Sequence, residues 1–102
     1  MTPEGKVKKQ VSKILKQYGA YHFSPVTGGF GRSGVPDIVA CYQGVFIGIE
    51  CKAGDNKPTA LQLKNLEDIH TNGGWGMIVN EETARDVEAV LVYIEHLREK
   101  MK

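Results

Sequence analysis

The chain has 102 residues, 41% hydrophobic and 25% charged, with 13 Lys and Arg against 12 Asp and Glu. This composition fits one small soluble domain with a single core, and a net charge of +1 advertises no global field for a polyanion. No apolar stretch approaches the roughly 20 residues of a membrane span, and the N-terminus lacks the apolar core of a signal peptide, so an intracellular protein without membrane contact is expected.

Thr2-Pro3 is a helix start, with Thr2 as N-cap and Pro3 at the first helical position. Val7, Val11, Ile14, Leu15 and Tyr18 recur at helical spacing until Gly19. The first eighteen residues carry Lys6, Lys8, Lys9, Lys13 and Lys16 against one acid, Glu4. Such a stripe is a solvated face or a grip for phosphates. Tyr21 to Thr27 reads as a first strand, and Gly28 to Gly34 as a flexible loop carrying Phe30 and Arg32. That loop lacks a Gly-Lys-Ser/Thr ending, which excludes a triphosphate-binding loop.

Two apolar runs follow, Ile38 to Tyr42 and Val45 to Ile49, separated by Gln43-Gly44. The spacing predicts an antiparallel hairpin with a two-residue turn. Tyr42 then lies opposite Val45, and counting outward brings Asp37 opposite Glu50. Side chains alternate faces, so Glu50 and Lys52 share one while Cys51 points to the other. Cys41 and Cys51 fall on opposite faces and read as small packing residues rather than a disulfide.

Ala53 to Pro58 is a turn-rich connection. Thr59 caps a helix, 59–72, carrying Leu61, Leu63, Leu66 and Ile69 and ended by Gly73-Gly74. Trp75 to Asn80 reads as a strand parallel to Val45–Glu50, because a helix connects the two. Glu82 or Thr83 opens a last helix with Val87, Val90, Leu91, Ile94 and Leu97 on one side. Its extra apolar residues, Val92, Tyr93 and Met101, cover the sheet or meet a second copy of the chain. His22, His70 and His96 have no ligand spacing, and Trp75 and Phe30 are expected to pack rather than stack on bases. The element order predicts an α/β fold with a central mixed sheet flanked by helices.

Two carboxylates facing each other repel. Asp37 and Glu50 therefore either sit at a solvated hairpin end, neutralised by Lys52, or share a cation. Oxygen ligands suit Mg²⁺, Mn²⁺ or Ca²⁺. A cation plus a neighbouring lysine is the equipment of phosphodiester hydrolysis.

Gly34-x-Pro36-Asp37, then Glu50-x-Lys52, then Gln62 in the next helix resembles the PD-(D/E)xK nuclease superfamily, and within it the VRR-NUC (virus-type replication-repair nuclease) family. The likeness runs from Glu4 to Gly74. One departure is Cys51, where the family more often has a Val-like residue. The resemblance implies a restriction-endonuclease-like α/β/α core and a Mg²⁺- or Mn²⁺-dependent DNA endonuclease in a bacterium or virus-infected cell. It implies metal binding by Asp37, Glu50, the Cys51 carbonyl and Glu4. Lys52 would act on the attacking water, and Gln62 would complete the site. Lys8, Lys9, Lys13 and Arg32 are the candidates for DNA contact. Small stand-alone members look like Holliday-junction resolvases, so a homodimer acting on four-way junctions is expected. A restriction- or repair-type nuclease working with a partner, and a DNA-binding module with a degenerate site, are the alternatives.

Overall fold

Thr2 starts the chain's first helix as its composition requires: its hydroxyl accepts the Gly5 N–H at 3.0 Å, and Pro3 follows at the first helical position. The computed structural model describes residues 1–26 and 31–102. In chain order these form α1 (Pro3–Gln17), β1 (Tyr21–Phe23), β2 (Ile38–Tyr42), β3 (Val45–Cys51), α2 (Ala60–Thr71), β4 (Trp75–Val79) and α3 (Asp86–Lys100). The strands make one sheet in the order β1-β2-β3-β4. The first two pairings are antiparallel and β3–β4 is parallel. This is the mixed-sheet α/β/α core expected of the restriction-endonuclease-like fold.

The hairpin turn fixes the register. Gln43 and Gly44 both adopt positive φ, 48° and 87°, which suits a two-residue turn matched to strand twist. Tyr42 pairs with Val45 and Ile38 with Ile49, so Asp37 faces Glu50 one step beyond the last pair. Alternation then divides β3. Ile47, Ile49 and Cys51 enter the main core, packed with Val7, Val11 and Leu15 of α1 and with Val87, Leu91 and Ile94 of α3. Phe46, Gly48, Glu50 and Lys52 turn to the other face, which α2 covers on its β3–β4 side.

Glycine lets α2 come close. A Cβ at Gly48 would lie 2.5 Å from Ile69 Cδ1, and one at Gly76 would lie 2.9 Å from the Leu66 carbonyl. The loop before β2 is held against the same helix. Buried Asn65 donates to the Leu61 carbonyl at 2.9 Å and to the Ser33 carbonyl at 3.5 Å. Gly34, with φ +75°, rests where a Cβ would meet Leu61 at 2.5 Å. Asp37 is thereby delivered from both directions, by the hairpin and by α2.

Several expectations are corrected. β1 ends at Phe23 rather than Thr27, and Thr27 and Phe30 lie outside the described residues. Leu61 and Leu63 are about half exposed, because α2 buries only Asn65 and Leu66. α3 begins at Asp86. A turn precedes it, in which the Asn80 N–H donates to Thr83 Oγ1 and the Glu82 and Thr83 N–H groups donate to Asn80 Oδ1. Leu97 is exposed, while Tyr93 sets its ring edge-on to Trp75, centroids 5.6 Å apart. Tyr18 and Tyr42 bind α3 to the rest of the domain through hydrogen bonds to Glu88 and Glu95, and those bonds raise both phenol pKa values. No helix among the described residues is long and apolar enough to cross a membrane.

Candidate active site

Glu50 is the centre of the polar end of the sheet. It is 1% exposed, which for a carboxyl demands compensation. One oxygen has it: Oε1 accepts from Gln62 Nε2 at 3.2 Å and lies 4.0 Å from Lys52 Nζ. The other, Oε2, is buried without a hydrogen-bond partner. Burial first, then the neighbouring Asp37, pushes the Glu50 carboxyl up to about 8, against the pull of Lys52. Oε2 beside Asp37 is thus either an unpaired buried acceptor, which costs about 1–3 kcal/mol, or the seat of a proton that a cation would displace.

Asp37 arrives from the adjacent strand. Its Oδ2 accepts the Cys51 backbone N–H at 2.8 Å. The Lys52 N–H donates across the other edge of β3, to the Val79 carbonyl at 2.9 Å. Alternation along the strand therefore turns the Cys51 N–H and C=O toward Asp37. The Cys51 side chain goes the other way, into the core, where burial ahead of the two carboxylates pushes its thiol up to about 12. Cys41 is exposed, and both thiols are free.

Lys52 keeps its side chain 14% exposed beside Glu50. Gln62 sits in the first turn of α2, half-buried, and bridges that helix to Glu50. Asp37, Glu50, Lys52, Gln62 and the Cys51 backbone are thus brought together.

The other candidates are not all placed with them. Glu4 is half-buried and lines a cleft of about 310 Å³ with Thr2, Pro3, Ala53 and Asn56. Its charge reaches Glu50 only as the weakest of the influences that raise that carboxyl. Among the described residues no three His, Cys, Asp or Glu side chains are grouped to hold a metal ion. Lys8 is half-buried, and its charge is felt at Cys51. Lys9 and Lys13 are exposed. At about 100° per residue they fall with Lys6 and Lys16 opposite the Val7-Val11-Leu15 stripe, away from the sheet. Arg32 lies beyond α2's first turn, 3.8 Å from Asp68, in a groove of about 310 Å³ shared with Phe46, Asn65 and Asn72. His22 and His70 bond the Ala20 and Gly76 carbonyls, each at 3.1 Å.

Two contributors were not singled out from sequence. Asn65 clamps the loop leading to Asp37, and a lone buried Asn in a helix gives no signal for that. The pairing of Thr59 with Gln62 does have one, because Thr-x-x-Gln at a helix start is the spacing of a capping box.

No family model matches the chain. It is 37% identical over 87 residues to a protein named "Putative nuclease p44" from Acyrthosiphon pisum secondary endosymbiont phage 1, a match covering 82% of this chain and 85% of that one. A solved structure described as a VRR_NUC domain has the same fold, with a TM-score of 0.69 and 26% identity over 94% of this chain and 98% of the other. With a relative this similar along most of its length, the chain belongs to the VRR-NUC family of nucleases.

Proposed function

We propose that the protein is a Mg²⁺- or Mn²⁺-dependent DNA endonuclease acting on structured DNA, in the manner of a Holliday-junction resolvase. One observation carries the metal dependence: buried Glu50 leaves Oε2 unpaired beside Asp37, within a set of oxygen donors suited to a hard cation. Asp37, Glu50 and the Cys51 carbonyl would hold the cation, with Glu4 contributing from the cleft beside α1. When bound, such an ion neutralises charge at the scissile phosphate and makes the attacking water more acidic.

The remaining work falls to the chain's own side chains. Lys52, with little freedom beside Glu50, orients the attacking water and offsets charge as it builds on the phosphorus-bound oxygens. Lys8 provides a positive group on the α1 side. Arg32 meets the DNA backbone beside α2, and Lys9 and Lys13, on the outer face of α1, add at most a more distant positive charge. In this reading substrate choice rests on DNA shape, and a homodimer supplies two symmetric sites for a four-way junction.

A panel of linear, flap, splayed and four-way DNA, incubated with Mg²⁺, Mn²⁺ or chelator, tests this. Paired nicks in the four-way substrate, lost with chelator and with Asp37→Asn, are expected. Cleavage unchanged by chelator would overturn the metal dependence. Preference for flaps would overturn the junction reading.

A further inference from the structure

Thr59 and Gln62 cap α2 reciprocally. The Thr59 backbone N–H donates to Gln62 Oε1 at 2.8 Å, and the Gln62 backbone N–H donates to Thr59 Oγ1 at 3.2 Å. A backbone N–H can only donate, so the side-chain atom facing it must be the amide oxygen. The usual ambiguity between the oxygen and nitrogen of a glutamine amide is removed. The nitrogen turns the other way and donates to Glu50 Oε1.

Two consequences reach the site. The Gln62 oxygen is engaged in the helix cap, and the end of the amide that faces Glu50 is the nitrogen, which can only donate. Its donation, with Lys52 on the same side, holds Glu50 by Oε1 and leaves Oε2 as the unpaired oxygen. The terminal torsion of a glutamate is otherwise broad, and its two oxygens exchange.

We infer that Thr59 is a positioning residue of the active site: its hydroxyl holds the first turn of α2 so that its backbone N–H orients the Gln62 amide, and the amide fixes the Glu50 carboxyl so that Oε2 is the oxygen presented to the cation. The inference rests on the nuclease reading above. The start of α2 is then both a structural cap and an aiming device. Misplacing a reacting group by about 1 Å can cost as much as 10²-fold in rate, so a loosened cap should register in the chemistry.

The test compares wild type with Thr59→Val, Thr59→Ser, Gln62→Met and the double variant Thr59→Val/Gln62→Met. Thr59→Val keeps the backbone N–H and the β-branched shape but removes the hydroxyl acceptor. Thr59→Ser keeps the acceptor. Mn²⁺ affinity is measured by calorimetry on each metal-free protein, and kcat and KM on a four-way junction, well below the lowest melting temperature.

Gln62→Met should lower kcat by at least ~10-fold and weaken Mn²⁺ binding, with KM for DNA nearly unchanged. Thr59→Val should show a smaller loss of the same kind, roughly 3-fold or more, and Thr59→Ser should restore it. The double variant should be no worse than Gln62→Met, because Thr59 acts through Gln62. A Thr59→Val protein that loses only thermal stability, with Mn²⁺ affinity and kcat of the wild type, would overturn the inference. So would losses that multiply in the double variant. If Gln62→Met does not fold, the Thr59→Val and Thr59→Ser pair decides alone. Wild-type protein that binds Mn²⁺ but cuts no DNA would remove the nuclease reading while the affinity series still decides this one. Wild-type protein that binds no Mn²⁺ would overturn both.

Discussion

Asp37 accepts the backbone N–H of Cys51 at 2.8 Å, one step past the last pair of the β2–β3 hairpin. A side-chain carboxylate continues the strand pairing where the backbone leaves off, and in doing so it faces Glu50. The same bond holds Asp37 in the fold and brings its negative charge against a buried acid.

Asp37→Asn keeps an oxygen for the Cys51 N–H and removes the charge. Glu50→Gln keeps the shape and removes the other charge. Each should reduce nicking of a four-way junction by at least ~10²-fold, since each removes a cation-binding charge, while melting temperature without metal holds or rises. Wild-type cleavage by either variant in Mg²⁺ would place the metal elsewhere.

Glu50 also makes stability depend on pH. Its carboxyl titrates at about 8 in the fold against an ordinary value of 4.5, because burial and then Asp37 oppose its charge. The folded state holds the proton more tightly than the unfolded chain. Its contribution to stability is complete below about 4.5 and is lost as pH climbs through about 8, on the order of 5 kcal/mol at most. Denaturant titrations of metal-free protein across pH 4.5–8.5 should show this decline, and Glu50→Gln should lack it. Identical pH profiles for the two proteins would contradict the raised carboxyl.

Lys52 and the α1 lysines should separate rate from affinity. Lys52→Ala should lower kcat by ~10-fold or more with little change in DNA affinity. Changing Lys8, Lys9 and Lys13 together to Ala should weaken DNA binding and flatten its salt dependence by up to about one unit of slope per lost phosphate contact. Lys8 alone should account for most of that change, because Lys9 and Lys13 lie on the far face of α1. Fluorescence anisotropy over a salt series resolves the two lysine sets. A dominant effect from Lys9 and Lys13 would show that DNA crosses the outer face of the helix.

Light scattering at micromolar concentration should give twice the 11.3 kDa chain mass. Val92, Leu97 and Met101 of the α3 end remain exposed and are available to such an interface, whereas Tyr93 is partly engaged with Trp75. A monomeric mass with and without junction DNA would remove the symmetric-cut reading.

The hairpin was legible because everything that sets it is local. A two-residue turn and a period of two determine which side chains face each other, so Asp37 opposite Glu50 followed by counting. The exposure of Leu61 and Leu63 was not legible. Helical spacing says that one face is apolar but not how wide a face the sheet offers, and α2 covers only the β3–β4 side. The start of α3 was misplaced because Asn80 and Thr83 carry the residues of a cap yet close a turn of their own. Gln62 was legible as a residue that reaches toward Glu50. Its amide direction was not, since that depends on a partner three residues away and on the buried Glu50 together.

The parallel pairing of β3 with β4 has a consequence for when the site comes into being. Asp37 and Glu50 meet through a hairpin that needs few residues and closes early. Gln62 lies only 12 residues from Glu50 and joins the two acids as α2 docks on the hairpin. The strand that flanks Glu50 on its other side is the distant one, since β4 sets Ile78 beside Glu50 across 28 positions of chain. The polar groups of the candidate site are thus gathered by local contacts, and the wall beside them is raised last.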